Sequence, residues 1–448
     1  MSDRQSTHQT LPSEWQVIDL SAMIASESSI TYGVVQPGQE VVDGIPFVRG
    51  GDIYGGKIAV HKLRTISSSI SSAYRRTLLR GGELLMSLVG YPGEVAVVPN
   101  GLAGANIARQ AALIRLDRIH DAKYVMYFLL SDLGKQRIFE QSIGSAQQVV
   151  NLADLKHVRV TLPPLPQQRK IARILTTVDN LIEKTEALIA KYQAIKQGMM
   201  HDLFTRGVDE HGHLRPPYQD APELYKQSDL GWIPTEWEVC RVGDRLERIE
   251  QGWSPDCESE PASTGEWGVL KTTAVVWEGF ACYENKRLPK HLPPLPQYEV
   301  HVDDLLMTRG GPNSRVGVVV HVRETTDKLM LSDKIYRLVP KKGLLPNYFA
   351  LALSSERTQT HLSTLKTGLA ESQTNISQEI VRRLWIGLPK PDEQRKTFER
   401  LEAVAQVMQA ELNGLAKLRL DKTGLMQDLL TGKVRVKADE AEEVAAHA

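Results

Sequence analysis

Cysteine is nearly missing from this chain: 448 residues carry three, Cys240, Cys257 and Cys282. Their spacing contains no CxxC pair, which excludes a disulfide framework and a cysteine-based structural zinc site. No apolar run approaches the roughly 18 residues of a membrane helix, and Met1 to Thr10 is polar, without the apolar core of a signal peptide. A cytoplasmic protein with no membrane contact and no bound metal is expected. An excess of either charge is missing too, since 54 Lys+Arg balance 54 Asp+Glu. By region, basic against acidic residues number 16 and 14 over 1–165, 7 and 4 over 166–208, 21 and 25 over 209–388, and 10 and 11 over 389–448. A protein held on nucleic acid mainly by phosphate neutralisation is normally more basic, so any DNA binding here is expected to draw charge from partners. What is present, 42% hydrophobic and 24% charged residues over a length of about three ordinary domains, calls for at least two separate cores.

The chain repeats itself once. Pro12-Ser13-Glu14-Trp15-Gln16-Val17 returns as Pro234-Thr235-Glu236-Trp237-Glu238-Val239, and Leu84-Leu85-Met86-Ser87 as Leu305-Leu306-Met307-Thr308, at offsets of 222 and 221. The strongest match closes each half. Leu162-Pro163-Pro164-Leu165-Pro166-Gln167-Gln168-Arg169-Lys170 is echoed 226 residues later by Leu388-Pro389-Lys390-Pro391-Asp392-Glu393-Gln394-Arg395-Lys396, and this offset persists through Met200-His201-Asp202-Leu203 and Met426-Gln427-Asp428-Leu429. Each copy is thus a diverged body followed by a well-retained segment.

The retained segments read as long helices. Ile171, Ile174, Val178, Leu181, Leu188, Tyr192, Ile195 and Met199 recur at steps of three and four, the seam of a coiled coil, and Leu401, Val404, Met408, Leu415, Leu418 and Leu425 form a looser stripe in the second copy. Pro166 and Asp392 are start signals, one by fixing φ and the other by capping amides. The bodies alternate short β-like runs with Gly and Pro turns and one helical stretch each, the pattern of α+β domains. The expected organisation is a first body at 11–165, a central helix at 166–205, a polar linker at 206–232, a second body at 233–388, a distal helix at 389–434 and a tail at 435–448. Trp15 and Trp237 read as core anchors.

Doubled and in this order, these motifs resemble the specificity subunit of Type I restriction-modification systems, over nearly the whole chain from Leu11 to Lys437. The resemblance implies two α+β target-recognition domains separated by two long helices packed as an antiparallel coiled coil with internal pseudo-twofold symmetry. Each domain is implied to read one half of a bipartite site on double-stranded DNA, while the helices set the spacer and dock two modification subunits. Those subunits are implied to hold S-adenosylmethionine and to methylate adenine; restriction subunits, holding ATP and Mg, join the same core. This chain itself is implied to bind no cofactor.

The residues agree that the chain is not itself an enzyme. A methyltransferase acting on an amino group needs an Asn/Asp/Ser-Pro-Pro-aromatic loop, and the one candidate, Arg215-Pro216-Pro217-Tyr218, offers donors where an acceptor is required. There is no Walker A sequence, His211-Gly212-His213 has no further ligand set, and Asp303-Asp304, matched by Gly82-Glu83, reads as a polar turn. Base readers are expected among loop residues able to match base edges: Arg75, Arg76, Arg109, Gln110, Gln147 and Gln148 in the first body, and Lys271, Thr272, Asn313, Ser314, Arg315, Lys334, Ser372 and Gln373 in the second. Asn151 and Asn375 read as helix caps. The competing reading, a coiled-coil scaffold with no DNA role, is left open by the neutral charge.

Overall fold

A computed structural model describes residues 11–140, 149–366 and 374–437. It divides into two compact units, one formed by residues up to Ala187 together with those from Leu412 onward, the other by Leu188–Glu411. Each helix therefore begins in the unit of the body it follows and ends in the other.

The first unit is built around a strand buried on both faces. All of Leu84–Ser87 is buried. Because side chains alternate along a strand, Leu84 and Met86 enter one core with the helices Ala122–Leu130 and Asp132–Phe139, while Leu85 enters a second with Val48, Ile53 and Ile107. This strand is central in an antiparallel sheet ordered Thr31–Tyr32, Ala111–Ile114, Leu84–Ser87, Val95–Val97. A three-stranded sheet (Arg64–Ile66, Ile45–Val48, Asn106–Ile107) and the hairpin Ile53–Tyr54 with Lys57–Ile58 cover its other face. Gln16–Asp19 pairs with Arg159–Leu162, joining the start of the body to its end.

The second unit repeats this sheet order and adds two strand pairs, Tyr225–Ser228 with Gly231–Pro234 and Gly310–Gly311 with Thr374–Asn375. Leu305–Thr308 is central in the order Leu246–Gln251, Ile335–Pro340, Leu305–Thr308, Val319–His321. Leu305 and Met307 face the core that holds Tyr348 and Phe349, while Leu306 faces Leu270, Val318 and Leu331. Glu238–Arg241 pairs with Trp385–Leu388 as the closing strands do in the first unit. Even single bonds recur: the Tyr124 hydroxyl donates to the Thr161 carbonyl at 2.8 Å, and that of Tyr348 to Gly387 at 3.1 Å. Each buried aromatic thereby ties its helix to its closing strand. The acids before the Leu-Leu-Met strands also correspond. Glu83 accepts from the Arg80 and Gly81 amides and pairs with Arg115; Asp304 accepts from the His301 amide and pairs with Arg337, which makes both positions turns.

The helices run Leu165–Thr205 and Pro391–Leu430. The shared Gln of their first turns folds back on the proline entry: Gln168 Nε2 donates to the Pro163 carbonyl at 2.9 Å and Gln394 Nε2 to Pro389 at 2.8 Å. These bonds satisfy carbonyls that cannot join the helix ladder. Asp392 departs from its expected role, because its carboxylate is engaged by the side chains of Lys396 and Arg395. Within the first unit the distal helix runs antiparallel to the central one, with Arg419 on Glu186 and Lys422 on Asp179, each at 2.7 Å. Among the described residues no helix is long and apolar enough to cross a membrane.

The expected seam holds at most of its positions and lapses at two. Ile171 is buried and Ile174, Val178, Leu188, Tyr192 and Met199 are half-buried, but Leu181 is 48% and Ile195 38% exposed. Leu175 and Ile189 are buried instead, at 0% and 6%. The central helix carries two overlapping apolar stripes, and a helix at 3.6 residues per turn drifts across a strict heptad. The heptad therefore leaves the buried face at Leu181 and Ile195 and returns to it at Leu188, Tyr192 and Met199. On the distal helix Leu401 and Leu415 are buried, with Val404, Met408, Leu418 and Leu425 half-buried.

The ends of the helices lock onto the tryptophans, both buried as expected. In the first unit Trp15 Nε1 donates to Gln167 Oε1 at 3.3 Å, and Gly432, at φ 75°, lies so near that a Cβ would come within 2.8 Å of Pro12. In the second unit Trp237 Nε1 donates to Glu393 Oε1 at 3.1 Å, and a Cβ on Gly207, at φ 63°, would come within 2.1 Å of that same oxygen. Glu393 is buried and is answered by Arg215, at 2.6 Å and 3.1 Å, and by the Val208 amide. The segment expected to be a linker is therefore packed: Arg215 is a buried ion-pair partner, and Tyr218 stacks on Trp232 at 4.2 Å.

Candidate nucleic-acid interface

In each unit the Leu-Leu-Met strand ends in a glycine-bearing loop beside the loop that enters its antiparallel neighbour. In the first unit Ser87 lies opposite Ala111, which puts Leu88–Pro92 and Arg109–Gln110 at one end of the sheet. The Leu88 amide donates to the Gln110 carbonyl at 2.8 Å, and the Val150 amide to Leu88 at 3.3 Å. The Gly50-Gly51 turn closes over both: a Cβ on Gly50 would sit 2.3 Å from the Val89 carbonyl oxygen and 2.8 Å from that of Gln110, so only glycine fits. Arg109 and Gln110 are exposed there. On the same turns the rings of Tyr54 and Tyr91, both exposed, lie 5.4 Å apart.

Arg75 and Arg76 are exposed but lie elsewhere. The Arg76 carbonyl is bonded by Arg115, which follows Ile114, and Ile114 pairs with Leu84 at the opposite end of the strand. The turn that carries them is nevertheless close to the segment that leads into Arg109: Asn106 Nδ2 donates to the Tyr74 carbonyl at 3.4 Å, and Tyr74 packs in one core with Ala108. Gln147, Gln148, Ser372 and Gln373 lie outside the described residues.

In the second unit Thr308 lies opposite Ile335, and the Arg309 amide donates to the Lys334 carbonyl at 2.8 Å. Gly310–Gly311 pairs with Thr374–Asn375, and a Cβ on Gly310 would meet Asn375 Oδ1 at 2.6 Å. Asn375 is thus part of a strand pair. The cap of the following helix is Ser377, whose hydroxyl accepts from the Ile380 amide. Asn151 does occupy an N-cap position, although its side chain donates to Asp154 rather than capping an amide. Asn313–Arg315 is an exposed turn, and Lys366 Nζ donates to the Asn313 carbonyl at 3.1 Å. Burial there pushes the Lys366 amine down. The Arg309 guanidinium lies 5.5 Å over the Tyr336 ring and donates to the Asp333 carbonyl at 3.2 Å. Burial raises the Tyr336 phenol, with Arg309 opposing.

Four of the expected second-body residues, Asn313, Ser314, Arg315 and Lys334, therefore come together on one loop end. Lys271 and Thr272 belong to the turn Thr272–Ala274, which stands in chain order where Gly50–Asp52 stands in the first unit, and Lys271 faces Glu284 at 3.8 Å. Sequence reasoning missed Arg309 and Lys366 in this cluster, and Tyr54 and Tyr91 in the first unit. For Arg309 a signal existed: the repeat sets it against Leu88, a core residue. Arginine at the position of a buried leucine marks a site under a different demand.

Two α+β units of one topology, each presenting polar loops from the same strand end, are matched by the comparisons with known proteins. The family model described as Type I restriction modification DNA specificity domain matches residues 12–193 and again 234–417. The chain is 26% identical over 446 residues to the putative Type I restriction enzyme MjaX specificity subunit of Methanocaldococcus jannaschii, covering 95% of both. It is 42% identical over 189 residues to the EcoEI specificity subunit of Escherichia coli, a stretch spanning 42% of this chain and 31% of that relative. The S subunit of a Type I system from M. genitalium shares the fold at a TM-score of 0.55 and 14% identity, covering 96% of this chain and 99% of that one. With the family model fitting each half over its body and the helix that follows, the chain belongs to the Type I restriction-modification DNA specificity family and carries one copy of its domain in each half.

Proposed function

We propose that each body reads one half of a bipartite, asymmetric DNA site through the loops at the ends of its Leu-Leu-Met strand. The observation that carries this reading is the duplication itself: one topology occurs twice, with polar loops in the same place and different residues upon them. Two similar modules on paired helices suit a split site as dimers suit palindromes, and divergence between them suits unequal half-sites. The helices are proposed to set the spacer and to dock two modification subunits, which supply S-adenosylmethionine and methylate adenine at N6. Restriction subunits would bring ATP and Mg to the same assembly, in the cytoplasm. A scaffold without a DNA role is disfavoured, because both halves match a DNA specificity model. The reading is tested by purifying the chain with its modification subunits and locating methylated adenines in host DNA. A single bipartite consensus is expected; methylation without sequence preference would overturn it.

A further inference from the structure

We propose that Arg315 and Lys366, backed by Arg309, form a phosphate clamp on the second body that fixes the DNA backbone and leaves discrimination between bases to other residues. The proposal rests on the reading that this body binds DNA.

The first observation is local charge. Residues 209–388 carry 21 basic against 25 acidic side chains, yet Arg309, Arg315, Lys334 and Lys366 gather at one loop end. Among the described residues Asp333 brings a carboxylate to this group, and it is already engaged by the Ser254 hydroxyl at 2.5 Å and by Lys334 at 3.6 Å. An anion lying across cations gathered against the sign of their own region is attracted by each of them. A base edge carries no net charge; a phosphate does.

Geometry separates backbone contact from base reading. Base discrimination by arginine uses both arms of a free planar fork against a guanine edge. One arm of the Arg309 fork donates to the Asp333 carbonyl while the guanidinium lies over the Tyr336 ring, and its Nε is buried without a partner among the described residues. Lys366 is a point charge without a fork, and one of its N–H groups holds the Asn313 carbonyl of the turn that carries Arg315. Arg315 is exposed on that turn and has no carboxylate partner among the described residues, so its own fork is free and its assignment to the backbone rests on the charge gathered around it and on the turn that Lys366 holds. Before the turn, Gly311 is half-buried and paired with Thr374, but its φ is 143° and, among the described residues, nothing lies within 4 Å of where its Cβ would be. A sugar-phosphate strand can approach the main chain closely there, with Arg315 and Lys366 to one side.

The test uses the full complex with modification subunits, carrying Arg315→Ala, Lys366→Ala or both, and measures DNA affinity as a function of salt together with the methylated sequence. Each single variant should make the slope of log affinity against log salt shallower by about 0.9. Affinity should fall by a similar factor on specific and unrelated duplexes, with the methylated consensus unchanged and Lys366→Arg restoring the slope. Unchanged slopes would overturn the proposal, as would altered base preference in either half-site. An unmodified complex that shows no sequence preference would instead sink the DNA-recognition reading beneath it. Should Lys366→Ala fail to assemble, Arg315→Ala, exposed on its turn, decides the matter alone.

Discussion

The two tryptophan anchors make the sharpest comparison in the molecule. Trp15 bonds a neutral Gln167, whereas Trp237 bonds Glu393, one carbon-chain position of the same repeat with a carboxylate in place of an amide. That single difference recruits a network. The buried carboxylate takes both arms of Arg215 and the Val208 amide, and so draws the segment after the central helix into the second unit. Backbone architecture is preserved across the repeat while the energetics of the two junctions are not: one rests on packing and a weak hydrogen bond, the other on a desolvated ion pair that is costly to break.

The largest expected effect follows from that contrast. Glu393→Ala leaves the Arg215 guanidinium buried and uncompensated and should cost about 3–5 kcal/mol in chemical denaturation. Gln167→Ala removes one neutral bond and should cost about 0.5–1.5 kcal/mol. Equal losses at the two junctions would erase the distinction. Next come two leucines of the central helix: Leu175→Ala, in the core, should cost about 2–5 kcal/mol, and Leu181→Ala, exposed, about 0.5 kcal/mol or less. The opposite order would restore the heptad seam expected from the sequence. The helix-end glycines differ less. Gly207→Ala, facing a carboxylate oxygen at 2.1 Å from a positive φ, should cost about 3 kcal/mol, and Gly432→Ala, facing a proline ring at 2.8 Å, about 1–2 kcal/mol by melting of the full chain. The smallest contrast concerns DNA. Arg109→Ala, at the loop end, should weaken specific binding by about 1 kcal/mol, while Arg75→Ala, at the far end of the strand, should leave it unchanged in a titration of the assembled complex.

Much of this architecture was legible because a repeat supplies its own control. The Leu-Leu-Met runs marked the same place in both halves, and the Leu-Pro entries marked where each helix starts. The helix seam was legible except at Leu181 and Ile195. Ile174 and Leu181 compete with Leu175 and Ile189 for the buried face, and only packing decides between such stripes. Arg215 looked like linker because its partner lies 178 residues away at Glu393. The loop ends were half legible: residue type pointed to Asn313, Ser314 and Arg315, and equally to Arg75 and Arg76, which stand on a separate turn. Lys366 was hidden because a lysine at the end of an amphipathic helix looks like any solvated one until the Asn313 turn is seen beneath it.

The central claim is that the two bodies recognise DNA as separate readers. Replacing residues 11–162 by the corresponding body of a relative, and mapping methylated adenines made by the resulting complex, tests it most directly. The account predicts a new sequence in one half-site and an unchanged sequence in the other. A consensus altered in both halves by a complex that still assembles and methylates would contradict it.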